Sequence, residues 1–344
     1  MLREAPDSKS DQSVRPRWSP LVRVWTRILP VLILGAFACG TAPAGEPMQI
    51  NVPPGSSLSD VADTLEARGV ISSTRWFRLL GRIRGIDTQL RPGRYELTPG
   101  SSAGELLDQL ATAESMELRI TLPEGGTIWD LARNAQASLN IPADSILAAA
   151  RDSALRAEFG ITAPTVEGWL HPDTYFFGAF DNALQVVRRF LEARSERWPA
   201  DWRVRADAVD LDQDEVLSLA SIVEAEAFLA EELPRIAAVY RNRLRIGMAL
   251  QADPTIQYAY LLDRGRREER LFNRDYAYQS PYNTYLHSGL PPTPIGNPSD
   301  AAIEAVLSPA ATRELYFVAR GDGGHVFAES YEQHLRNIRA VRRD

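Results

Sequence analysis

Two glutamates, Glu224 and Glu226, close an apolar stretch at residues 217–228, LSLASIVEAEAF. At roughly 100° per residue on a helix, Glu224 shares a face with Leu217, Ala220, Ser221, Ala227 and Phe228. Glu226 points the opposite way, toward Leu219 and Ile222. A helix that is apolar nearly all round is buried, so at least one carboxyl is expected in a poorly solvated place. Burial favours the protonated form of a carboxyl. A carboxylic acid that keeps its proton near neutral pH can hand it to a leaving group. The plainer reading is a glutamate at a helix end that reaches water or one of the arginines that follow, Arg235, Arg241 or Arg243.

Several elements must position this helix. Asp212, Asp214 and Glu215 place negative charge at its N-terminus, where the helix dipole favours it. A helix is expected over residues 234–244, stopping near Gly247, and LQADPT then turns into another. Residues 280–299, SPYNTYLHSGLPPTPIGNPS, are too rich in Pro, Gly and Asn for regular structure. They carry Tyr282, Asn283, Tyr285 and His287, more hydrogen-bonding groups than a plain linker needs, and long irregular stretches inside domains are commonly functional. ELYFVAR reads as a strand, GDGGHVFAES as a turn and strand, and a basic helix ends the chain.

Upstream, the sequence repeats itself. VPPGSSLSDVADTL at 52–65 matches LPEGGTIWDLARNA at 122–135, with a fainter copy, LTPGSSAGELLDQL, at 97–110. Each copy reads as a strand, a turn, a Ser or Thr cap and an amphipathic helix, with Ser57 and Thr127 three residues before Asp60 and Asp130. The first copy resembles the start of a LysM module, a small carbohydrate-binding unit; a generic αβ unit is the alternative. RPGRYEL at 91–97 reads as the strand closing it. Residues 141–210 read as mainly helical, interrupted by VEGWLHPDTYFF at 166–177, whose aromatics fit a core or a sugar-stacking surface.

Composition narrows the classes. The chain has 344 residues, long enough for about two domains, and its 44% hydrophobic content can build a core. A net charge of −7 argues against a general nucleic-acid binder, and no glycine loop of the phosphate-cradling kind occurs. Residues 1–27 are basic and residues 28–39, ILPVLILGAFAC, are apolar, the order of an export or membrane signal. The run is shorter than the about 20 residues a spanning helix needs unless it extends to residue 45. An uncleaved anchor, a signal cut near residues 42–44 and a lipoprotein signal ending at Cys39 all place the remainder outside the cytoplasmic membrane. Cys39 is the single cysteine, which excludes an intramolecular disulfide.

SIVEAEA, NRLRIGMALQADPTIQY, YNTYLHSGLPPTPIGNP and LYFVARGDGGHVFAESYEQH, in this order and spacing, resemble the endolytic murein transglycosylase (YceG-like) family from about residue 50 to the end. The resemblance implies an α+β chain: a basic cytoplasmic tail at 1–27, a membrane anchor or signal at 28–45, a LysM-like subdomain at 48–115 and a YceG-like catalytic domain at 116–344. It implies a single-pass protein of the inner membrane that cleaves the β-1,4 bond between N-acetylmuramic acid and N-acetylglucosamine inside peptidoglycan strands, leaving a 1,6-anhydro end. It places the catalytic glutamate on Glu224, and Gln251, Asp253, Tyr282, Asn283 and Thr284 in the cleft with Glu226. Peptidoglycan and its synthases are the implied partners, with no cofactor and no nucleic acid. EAEA departs from the family pattern around Glu226.

The chemistry has its own logic. Ordinary glycosidases flank the bond with two carboxylates, but Glu224 and Glu226 face opposite sides of one helix. A lytic transglycosylase needs one acid, since the sugar's own 6-hydroxyl attacks the anomeric carbon and that same group takes up its proton. Two alternatives compete. A zinc hydrolase finds no HExxH among His171, His287, His325 and His334, and the GxSxG of serine hydrolases is absent. A membrane-tethered peptidoglycan-binding scaffold without catalysis is the other.

Overall fold

The three repeats fold as strand, turn, cap and helix, and their caps explain why. In the computed structural model, which describes residues 45–86, 90–112, 118–268 and 270–343, Ser57 accepts from the Asp60 amide while Asp60 accepts from the Ser57 amide. Thr127 and Asp130 do the same, and so do Ser102 and Glu105. Each box satisfies amides that a helix start leaves orphaned. The basic tail and the apolar segment at 28–39 lie outside the described residues. Among the described residues no helix is long and apolar enough to cross a membrane.

The chain divides into two compact units. Of the described residues, the smaller holds 45–50, 55–86, 90 and 96–112. Along this stretch the elements follow in the order β1 (Met48–Val52), α1 (Leu58–Ala67), α2 (Thr74–Ile83), β2 (Gly93–Leu97) and α3 (Ala103–Thr112), with β1 and β2 paired and residues 51–52 and 93–95 of those strands counted with the larger unit. Leu58, Val61, Ala62 and Leu65 of α1 are buried with Phe77 of α2 and Leu106, Leu107 and Leu110 of α3.

From residue 118 the larger unit runs through β3 (Leu118–Thr121), α4 (Ile128–Leu139), α5 (Ala143–Ala149), α6 (Ser153–Glu158) and β4 (Thr174–Phe177). It continues with α7 (Ala183–Glu196), α8 (Ala200–Ala208), α9 (Gln213–Glu226), α10 (Leu233–Arg245) and α11 (Asp253–Arg264). α12 (Asp300–Leu307), β5 (Tyr316–Ala319), β6 (His325–Ala328) and α13 (Tyr331–Val341) complete it. β3 pairs antiparallel with β4, Leu118 opposite Phe177, and β5 with β6, Tyr316 opposite Ala328.

α9 is the core helix. Asp212 caps it through a box with Glu215, and every residue from Val216 to Val223 is buried. It packs against α12 and α10, with α11 and α8 beside it. In the 166–177 segment Trp169, Tyr175 and Phe177 are core while Phe176 is exposed. Residues 280–299 are irregular yet closely held, with Asn283, Thr284, Thr293, Ile295 and Asn297 buried.

Candidate active site

Glu224 and Glu226 leave α9 in different directions. Glu226, the last helical residue, turns toward α10, where its Oε1 accepts from the Tyr240 hydroxyl at 2.7 Å. Tyr240 and Arg243 lie three apart on one face of α10. With Glu226, Gln251, Asp253 and Tyr285 they line a cavity of about 310 Å³, to which Phe317 and His325 of the β5–β6 ribbon and His334 of α13 also contribute.

The cavity is polar but poorly solvated. Burial pushes the Glu226 carboxyl up to about 7 and Asp253 adds to that, against the Tyr240 hydrogen bond and the Arg243 charge. The residue as a whole is only half-buried, so its carboxyl lies deep while part of the side chain stays accessible. Arg243 is locked by Nε donating to Leu315 O at 2.7 Å and Nη1 to Leu250 O at 2.5 Å. Asp253 Oδ1 accepts from the Tyr285 hydroxyl at 2.6 Å. Burial raises that hydroxyl far above its ordinary value, which keeps it a donor. His325 Nδ1 lies 2.6 Å from Glu232 Oε2, and its backbone N–H donates to Oε1 at 3.0 Å.

Glu224 occupies a different setting. Its Oε2 accepts from the Ser299 backbone N–H at 3.0 Å and from the Ser299 hydroxyl at 2.5 Å. The same serine oxygen accepts from the Ala302 amide and caps α12. Gly125 packs so closely that a Cβ there would meet Glu224 Cγ at 3.4 Å. Glu124 is nearby; burial raises its carboxyl, with the charges of Glu224 and Asp300 adding to the rise.

Behind both glutamates two loops interlock. Gly125 N–H donates to Asn297 O and Asn297 N–H to Gly126 O, each at 2.8 Å. Asn297 Oδ1 accepts from the Leu170 amide at 2.9 Å, and its Nδ2 donates to Glu167 Oε1 at 2.8 Å. Glu167 is fully buried and also accepts from the Ile128 amide, the first of α4, and from the Tyr258 hydroxyl. Burial outweighs these donors and pushes its carboxyl up to about 8.

Of the residues singled out in the sequence, Gln251, Asp253 and Glu226 meet in the cavity. Thr284 stands behind the wall, its hydroxyl accepting from the Ala252 amide and its carbonyl from the Gln251 amide. That pairing holds Gln251 at φ 51, a left-handed conformation unusual for a side chain with a Cβ. Asn283 binds the carbonyls of Tyr276 and Tyr278 and accepts from the Tyr285 amide. Tyr282 is outside the cavity lining; its hydroxyl pairs with Thr293 and its ring packs on Tyr258. Sequence reasoning missed Tyr240, Arg243 as a wall residue, and Glu167. The three-residue spacing of Tyr240 and Arg243, and the lone acid inside VEGWL, are the signals that could have found them. Among the described residues no group of three or more His, Cys, Asp or Glu side chains could hold a metal ion.

Comparison with known proteins places the chain among relatives. The YceG-like family model matches residues 50–340. An endolytic murein transglycosylase of Bacillus subtilis (strain 168) is 29% identical over 327 residues, covering 88% of this chain and 89% of that protein. Another, from Streptococcus pneumoniae (strain D39), is 28% identical over 84% of this chain, which spans 57% of that longer relative. A crystal structure of a YceG-like protein from Listeria monocytogenes superposes with a TM-score of 0.60 at 29% identity, covering 85% of this chain and 98% of that one. With the family model running from β1 to α13, a span that includes both glutamates and the cavity lined by Glu226, the chain belongs to the YceG-like family.

Proposed function

We propose that the protein is an endolytic lytic transglycosylase of peptidoglycan, with Glu226 as the acid that protonates the glycosidic oxygen between N-acetylmuramic acid and N-acetylglucosamine. The observation that carries this reading is that Glu226, held by the Tyr240 hydroxyl, lines one cavity with Gln251, Asp253 and Tyr285, where burial raises its carboxyl to about 7. The names of the Bacillus and Streptococcus relatives, endolytic murein transglycosylases, support murein as the substrate and transglycosylation within its strands as the reaction. After protonating the leaving oxygen, Glu226 becomes the base that takes the proton of the muramic 6-hydroxyl as that oxygen closes the anhydro ring. One carboxyl serves both steps, and a carboxyl that titrates near neutral pH suits both.

The sequence points to Glu224 for this role, and the two assignments separate in one experiment. Glu224 is tied by two donors from Ser299 at the start of α12, an arrangement that supports a structural duty. Purified sacculi are digested with Glu226→Gln and Glu224→Gln proteins and the products weighed. Loss of anhydro-ended fragments with Glu226→Gln but not with Glu224→Gln supports the present reading, and the reverse result transfers the role to Glu224. A second reading, hydrolysis, draws on Asp253, a second carboxylate in the same cavity that could activate a water. Products one water heavier than the anhydro form would establish it. Binding of sacculi without cutting by the unaltered protein would leave only the tethered scaffold.

The β1–α1–α2–β2 order of the smaller unit supports a LysM-like module that holds glycan. The basic and apolar segments at 1–39 support a retained single-pass anchor in the cytoplasmic membrane, with the catalytic unit on its outer side.

A further inference from the structure

α2, TRWFRLLGRI, is apolar on two faces. Phe77 and Gly81 fill the inner one, where a Cβ on Gly81 would come within 2.3 Å of Leu58 Cδ2. On the outer one Trp76, Leu79 and Ile83, at helical spacing, are 45%, 51% and 73% exposed. Arg75 and Arg82 border this stripe and are also exposed, and the helix contains no acidic residue. Arg78 turns aside to pair with Asp63, and Arg84, just past the helix, pairs with Asp108. A helix on the surface of a soluble domain normally turns a polar face outward. Trp and aliphatic side chains rimmed by arginine are instead the composition of helices that lie in the interface of a bilayer.

The chain itself says which surface is near. Eight residues separate the apolar run ending at Cys39 from Met48, the first residue of β1. Fully extended, they span at most about 30 Å. A chain whose net charge is −7 therefore presents a basic, apolar stripe on the unit that directly follows its apolar segment.

We propose that the outer face of α2 docks on the anionic lipid surface of the membrane that the segment at 28–39 enters, with Trp76, Leu79 and Ile83 at the headgroup boundary and Arg75 and Arg82 on lipid phosphates. This rests on the reading of that segment as a retained anchor. Docking would fix the smaller unit flat against the bilayer rather than leaving it free on its tether.

The test uses the full chain in nanodiscs containing phosphatidylglycerol, with a nitroxide on Ile83→Cys in a Cys39→Ser background. A label on Val204→Cys, 68% exposed on α8 of the larger unit, serves as the aqueous control. The expected result is an oxygen to nickel-chelate collision ratio at position 83 raised by roughly threefold or more over position 204, as for a side chain at the acyl boundary. Adding Arg75→Glu and Arg82→Glu is expected to return the ratio to the control value. Equal ratios at 83 and 204 in a chain that co-purifies with the nanodiscs overturn the docking while leaving the anchor intact. A chain that does not co-purify overturns both. Immobilisation of the label by glycan fragments in the absence of lipid overturns the proposal in favour of a glycan-binding face.

Discussion

In the mechanism proposed above, one hydroxyl and one guanidinium bias the acid, Glu226. Burial raises its carboxyl to about 7, while the Tyr240 hydroxyl and Arg243 favour its ionised form. The first chemical step needs the protonated acid, so activity is expected to fall as pH rises through about 7. Tyr240→Phe deletes a donor to the carboxylate; a hydrogen bond to a charged group is worth about 1.5–3 kcal/mol, and one pKa unit corresponds to about 1.4 kcal/mol. The alkaline limb of the pH–rate profile is therefore expected to move up by about one pH unit, and an unmoved or lowered limb would remove Tyr240 from the acid's environment. Glu226→Gln is expected to lower the turnover of glycan strands by roughly 10²–10⁴. Motif order in the sequence was enough to bring Gln251 and Asp253 to this cavity. By resemblance it set the catalytic role on Glu224, whereas helical periodicity alone says that Glu224 and Glu226 face apart and nothing about what each one faces.

Local elements were legible where their stabilisation is local. The three cap boxes, the core placement of α9 and the ordered irregular stretch at 280–299 follow from short spacings and turn residues. The interlock of the 123–127 and 295–299 loops was not legible, since it joins residues such as Gly126 and Asn297 that are 171 positions apart. The tie between the Ser299 cap of α12 and Glu224 was hidden for the same reason, its partners lying 75 positions apart. At Gly296 a Cβ would lie 2.6 Å from Gly125 O, a backbone atom that cannot swing away. Gly296→Ala is thus expected to destabilise the larger unit by about 1–3 kcal/mol through overpacking. Asn297→Ala leaves the Leu170 amide, the Gly126 carbonyl and Glu167 each short of a partner. Its cost is expected to be larger, about 2–4 kcal/mol, from several unmet buried polar groups at about 1–3 kcal/mol each. Urea unfolding curves measure both, and a Gly296→Ala protein of unchanged midpoint would show that the loops part freely.

At the scale of the whole molecule, the fully buried Glu167 makes stability depend on pH. Little in VEGWL warns of it, since the segment looks like an ordinary turn until Ile128, Tyr258 and Asn297 are brought around its acid from three distant parts of the chain. In the unfolded chain this carboxyl releases its proton in the ordinary range near 4.5, whereas in the folded protein it keeps it up to about 8. Between those values the folded state binds more protons than the unfolded one, so stability falls as pH rises across that window. Glu226, raised to about 7, acts in the same direction over a narrower range. For Glu167 the full effect is on the order of 3–5 kcal/mol, or roughly 10 °C in melting midpoint for a unit of this size. Glu167→Gln keeps the shape and an acceptor for the Ile128 and Asn297 donors but cannot ionise. Melting midpoints of the two proteins are expected to lie close together at pH 5 and to diverge toward pH 8, the glutamine protein being the more stable there. Parallel curves across that window would mean that the three donors hold Glu167 as a carboxylate throughout, and that the proton attributed to the core is not there.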